Sequence, residues 1–70
     1  MVTTVDARGL SCPLPLAMAK ARMAEVAPGG TLVVLADDPE APVDLAAWCA
    51  DEGHALDRAG YEFTIVRAST

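Results

Sequence analysis

The chain has 70 residues, with ten acidic and five basic side chains and a formal charge of −5 at neutral pH. That length holds one domain with one modest core, the acidic balance argues against broad attachment to a nucleic-acid backbone, and a hydrophobic fraction of 53% excludes disorder. No apolar run approaches the roughly 20 residues that a membrane-crossing helix takes.

The N-terminus lacks the basic start and apolar stretch of a secretory signal. Cys12 and Cys49 are too far apart in sequence to read as a disulfide framework. The expected setting is therefore the reducing cytoplasm, where a free thiol persists. With a single Phe, Trp and Tyr, the core has to be mostly aliphatic and alanine-rich.

Residues 3 to 7 predict a first strand, with Val5 and Ala7 sharing the inward face. Asp6 points outward or caps the turn that follows. The alternation breaks at Gly9, and an Ala/Leu/Met-rich segment predicts a helix from Pro13 to Val26. Leu16, Ala19, Met23 and Val26 fall on one face; Lys20, Arg22 and Glu25 lie off it. Leu14 and Met18 sit on the other side, where they would form an apolar rim for docking. Pro28-Gly29-Gly30 ends the helix.

Thr31 to Ala36 is a continuous apolar run bounded by turn signals, which reads as a central strand. A strand–helix–strand arrangement makes these two strands parallel neighbours. Asp37-Asp38-Pro39-Glu40-Ala41-Pro42 is an acidic loop whose Asp side chains accept backbone N–H groups at a helix entry. Paired Asp residues without His or Glu at ligand spacing make a poor metal site. The second helix runs from Pro42 to Glu52, with Leu45, Trp48 and Cys49 on one stripe and Gly53 as its stop. Ala41 stands where a hydroxyl cap would serve, so the helix start is expected to fray. His54 to Asp57 and Tyr61 to Arg67 predict two strands joined around Arg58-Ala59-Gly60.

The candidate chemistry lies at the first junction. Pro13 suits the first helical position, and Pro15 falls in the first turn, where backbone N–H groups have no intrahelical partner. Cys12 then becomes the helix N-cap, a place where the partial positive charge of the helix favours a thiolate. Arg8 and Lys20 are the cations nearest in sequence. The competing structural reading is a small apolar side chain filling the turn. Cys49 reads as a buried small hydrophobe rather than a resolving thiol, and the lone His54 as structural rather than a base for Cys12.

Asp6-x-Arg8-Gly9-Leu10-x-Cys12-Pro13-x-Pro15 resembles the signature of the TusA-like (SirA-like) sulfur-carrier family. Gly29-Gly30, Ala36-Asp37-Asp38-Pro39, Trp48-Cys49 and Gly53-His54 have counterparts there, so the resemblance covers essentially all 70 residues as a single carrier domain. It implies a two-layer α/β (α+β) sandwich, ordered β-α-β-α-β-β, with two helices on one face of a mixed four-stranded sheet. It implies a sulfurtransferase acting as a protein-to-protein carrier, with Cys12 accepting sulfane sulfur as a persulfide. Asp6, Arg8, Gly9, Pro13 and Pro15 would support the thiol, and Leu14, Met18 and Lys20 would dock partners.

The implied donors are a cysteine desulfurase or a rhodanese, and the acceptors are relay proteins in tRNA thiolation, cofactor assembly or sulfur oxidation. No cofactor, metal, membrane or direct nucleic-acid contact is expected, and the carrier is expected to act as a monomer. A second hypothesis is an interaction or regulatory module linked to thiosulfate or selenium metabolism, in which Cys12 matters little. A thiol–disulfide oxidoreductase is disfavoured, because Cys-Pro-Leu-Pro lacks the second cysteine of a Cys-x-x-Cys pair.

Overall fold

A computed structural model describes residues 2 to 69. The elements follow the order β1 (Val2–Asp6), α1 (Leu14–Met23), β2 (Thr31–Leu35), α2 (Ala41–Glu52), β3 (Ala55–Ala59) and β4 (Glu62–Val66). The strands form one sheet in the order β1-β2-β4-β3. β1 runs parallel to β2, whereas β4 pairs antiparallel with both β2 and β3. The expected mixed four-stranded sheet with two helices is the observed architecture.

Register shows how the alternating pattern builds the core. Across the four strands, Thr3, Leu32, Ile65 and Leu56 lie in one row, and Val5, Val34, Phe63 and Arg58 in the next. Leu32, Val34, Phe63 and Ile65 are fully buried, joined by Ala19 and Met23 from α1 and by Leu45, Trp48 and Cys49 from α2. Side chains on a strand alternate between faces, so Thr4, Val33, Thr64 and Asp57 line up on the other side of the sheet. At the edge strand, Arg58 lies with its guanidinium 5.6 Å from the centre of the Phe63 ring and shields it.

Element boundaries differ from the sequence pattern in places that have local causes. α1 begins at Leu14, one residue later than expected, with Pro13 as its N-cap at φ −99° and ψ 19°. It ends at Met23, and Val26 stays in the core through a tighter turn, Val26 N–H donating to Met23 O at 3.0 Å. α2 begins at Ala41, one residue earlier. In place of a hydroxyl cap, Asp38 closes the preceding turn: its Oδ1 accepts the Glu40 N–H at 2.7 Å and its carbonyl the Ala41 N–H at 3.0 Å. Tyr61 lies outside β4 and is 50% exposed, so the inward alternation starts only at Phe63. Leu16 and Met18 are half-buried against the core rather than one inside and one outside.

Candidate functional site

The site forms where the C-terminal ends of β1 and β2 meet the N-terminal ends of both helices. After β1, Asp6 takes Arg8 in a two-pronged grip: Arg8 Nε donates to Oδ1 at 2.9 Å and Nη2 to Oδ2 at 2.8 Å. The Arg8 backbone N–H adds a third bond to Oδ1 at 3.1 Å. This pairing holds the Asp6 carboxyl down to about 2. Gly9 then reverses the chain at φ 81°, a backbone state open to glycine without strain.

The acidic loop after β2 holds the turn that follows. Gly9 N–H donates to Asp37 Oδ1 at 2.9 Å, and Cys12 N–H donates to Asp38 Oδ2 at 2.7 Å. Asp38 thus bridges two backbone segments, one oxygen to Cys12 and the other to Glu40. The expected role of this loop as an acceptor of backbone N–H groups holds. Its reach across 26 residues to the thiol turn could not be read from sequence.

Cys12 is exposed and free, joined to Pro13 by a cis peptide bond. It lies one residue before the helix N-cap, not at it, because Pro13 takes that place. The carboxylate of Asp44, in the first turn of α2, accepts a hydrogen bond from the Cys12 Sγ–H at 3.0 Å. The thiol is therefore not acidified as expected at a helix N-terminus but pushed up to about 11. The bond to Asp44 is the main cause, followed by partial desolvation and the negative charges of Asp44, Asp38 and Glu40. Pro15 removes a further N–H from the first turn, and Arg8 is committed to Asp6.

The other sequence candidates separate by place. Leu14 is 49% exposed beside Cys12, whereas Met18 is half-buried. Pro13 is exposed and Pro15 buried. Lys20 lies away from the thiol, on the wall of a cavity of about 530 Å³ shared with Trp48, His54 and Arg67. His54 follows the far end of α2, roughly 18 Å of helix from its start. There its Nδ1 accepts the Ala68 N–H at 2.9 Å and its ring meets Trp48 edge-on at 5.2 Å. His54 thus packs at the end of α2 away from Cys12. Cys49 is 2% exposed, and burial pushes its thiol up as well.

Asp44 is the site residue that sequence reasoning missed. An acid in the first turn of a helix reads as a partner for the helix dipole, and nothing in a separation of 32 residues points to Cys12.

Residues 3–67 match the family model described as sulfurtransferase TusA. The chain belongs to the TusA family. Relatives agree in name with that placement. A protein of Neisseria meningitidis serogroup A, whose name proposes a sulfur-carrier role, is 47% identical over 53 residues, covering 76% of this chain and 72% of its own length. A Pseudomonas entomophila protein named sulfur carrier protein TusA is 43% identical over 53 residues, covering 76% of this chain and 66% of its own. The Pseudomonas aeruginosa PAO1 protein of the same name is 42% identical over 52 residues, with 74% and 66% covered. The family is described as a sulfurtransferase and these Pseudomonas relatives are named sulfur carriers. No helix among the described residues is long and apolar enough to cross a membrane.

Proposed function

We propose that Cys12 is the sulfur-carrying residue and that the 70 residues act as one carrier domain in the cytoplasm. The observation that carries this reading is the exposed Cys12 sulfur, presented at the front of α1 in the Cys-Pro-Leu-Pro turn of a TusA-family fold. As a thiolate, Cys12 attacks the outer sulfur of a donor persulfide. The donor S–S bond breaks, the donor cysteine leaves as a thiolate, and the sulfane sulfur now rides on Cys12. Handing it on is the same exchange in reverse order, with no net oxidation. A cysteine desulfurase or a rhodanese suits the donor role, and a relay protein for tRNA thiolation, cofactor assembly or sulfur oxidation the acceptor role.

Asp6, Arg8 and Gly9 support the reading by shaping the turn before the thiol. Pro13 and Pro15 stiffen the segment behind it, and Leu14 gives a partner an apolar contact beside the sulfur. The test is to incubate the purified chain with a desulfurase and cysteine, or with a rhodanese and thiosulfate, and to record its intact mass. The expected result is the gain of one reducible sulfur atom, lost in Cys12→Ser and kept in Cys49→Ser. No gain from either donor would overturn the carrier reading and leave an interaction module.

A further inference from the structure

We infer that Asp44 is a gate on Cys12: its carboxylate holds the thiol protonated in the free chain, and the exchanging partner is one that sets a cationic side chain against that carboxylate. This inference rests on the reading of Cys12 as the sulfur carrier. Its geometric basis is the 3.0 Å bond from Cys12 Sγ to Asp44 Oδ2, made by an exposed cysteine on one element to an acid on another.

The charges acting on the sulfur are Asp44 from α2 and Asp38 and Glu40 from the loop before it, and all three are negative. The cations lie elsewhere: Arg8 is gripped by Asp6, Arg22 pairs with Glu25, Arg58 covers Tyr61 and Phe63 at the β3 edge, and Lys20 and Arg67 line the cavity between the helix ends opposite the thiol. Moving a thiol from 9.0 to about 11 lowers its ionised fraction at neutral pH about a hundredfold. An exposed carrier sulfur held in that state resists stray alkylation and disulfide exchange between partners, because the thiolate is the reactive form.

A guanidinium or ammonium placed on Asp44 acts twice in the same direction. It draws away the acceptor of the S–H bond, and it adds positive charge beside the sulfur. Both changes favour the thiolate at the moment of docking. Leu14, two residues after Cys12, and Val43, just before Asp44, supply the rest of the surface, 49% and 64% exposed. The partner surface that fits carries an arginine or lysine beside an apolar patch, with its own reactive sulfur at the centre.

The test uses the whole chain and needs no sulfur donor, so it can fail while sulfur loading succeeds, and the reverse. The rate of Cys12 alkylation by iodoacetamide, a neutral reagent, is measured from pH 6 to 11 in the Cys49→Ser background. Asp44→Asn should lower the midpoint by a unit or more and raise the rate at pH 8 about threefold, the thiolate gain being offset in part by lower nucleophilicity. Asp51→Asn, the same charge change at an exposed position of α2 away from the thiol, should leave both unchanged.

Two methanethiosulfonates, one bearing trimethylammonium and one sulfonate, then stand in for cationic and anionic approach. The cationic reagent should react faster with the parent chain, and this preference should shrink with added salt and in Asp44→Asn. An unmoved midpoint in Asp44→Asn, an equal shift in Asp51→Asn, or equal rates for the two reagents on the parent chain would overturn the gate. If Asp44→Asn fails to fold, Asp44→Ser takes its place and is read by the same midpoint and reagent preference.

Discussion

Two prolines that look interchangeable in the sequence do different work. Pro13 is exposed and stands between the thiol and α1, whereas the Pro15 ring is fully buried under the first turn. Pro15→Ala removes two ring carbons from the core, which at ~0.8 kcal/mol per methylene costs about 1.5 kcal/mol, and it also frees the unfolded chain. Pro13→Ala removes no buried surface but loosens the backbone that aims Cys12. The expected outcome is a lower urea midpoint for Pro15→Ala at nearly unchanged sulfur transfer, and the converse for Pro13→Ala, with transfer reduced about tenfold. Equal loss of stability in the two variants would contradict their placement. At this scale the sequence already pointed to a cysteine before two prolines at a helix start, though it put Cys12 at the N-cap that Pro13 takes, and to aspartates that accept backbone N–H groups. It gave the charge around the sulfur the wrong sign, expecting the helix end and nearby cations where three carboxylates stand. The state of the Cys12 thiol depends on Asp44, Asp38 and Glu40, which reach it only when the second strand–helix unit packs beside the first.

Elements were legible where hydrophobic period and breaker residues agreed. The stripe Leu45, Trp48, Cys49 is buried as its spacing implies, and Gly53 ends α2 at φ 76°, its N–H donating to Cys49 O. The start of α2 was less legible, because its closing turn uses Asp38, three residues ahead of Ala41 and shared with Cys12. A side chain with two duties gives no local cap signal. Gly53→Ala tests the stop. A Cβ there would meet no atom within 4 Å, so the cost is only that of a left-handed backbone for an L residue, about 1 kcal/mol. In a domain of this size that lowers the melting temperature by roughly 4–8 °C. The thiol at the opposite end of α2 should keep its alkylation rate. A melting temperature unchanged in calorimetry would mean that the helix end can be reached by another backbone route.

At the scale of the whole molecule, the fold brings two strand-to-helix junctions side by side, because β1 and β2 are parallel neighbours and each is followed by a helix. That adjacency joins Asp37 to Gly9, Asp38 to Cys12 and Asp44 to the thiol. One core underlies it, and Phe63, with no solvent exposure and Val34 beside it on β2, is its largest fully buried side chain. A chain of this length has on the order of 4–10 kcal/mol of stability. Phe63→Ala removes roughly 3–5 kcal/mol of it through lost contacts and the cavity left behind. The urea midpoint should therefore fall by about a third or more at an unchanged slope, read from the fluorescence of the sole tryptophan, Trp48. Cys49, 2% exposed in the same core, supplies an independent probe, since its labelling requires opening of that core. Labelling of Cys49 should rise in step with the loss of stability while exposed Cys12 keeps its rate under native conditions. If Phe63→Ala accelerated both thiols equally before the fluorescence transition, the Cys12 turn would be yielding with the core rather than being held by the aspartate bridges.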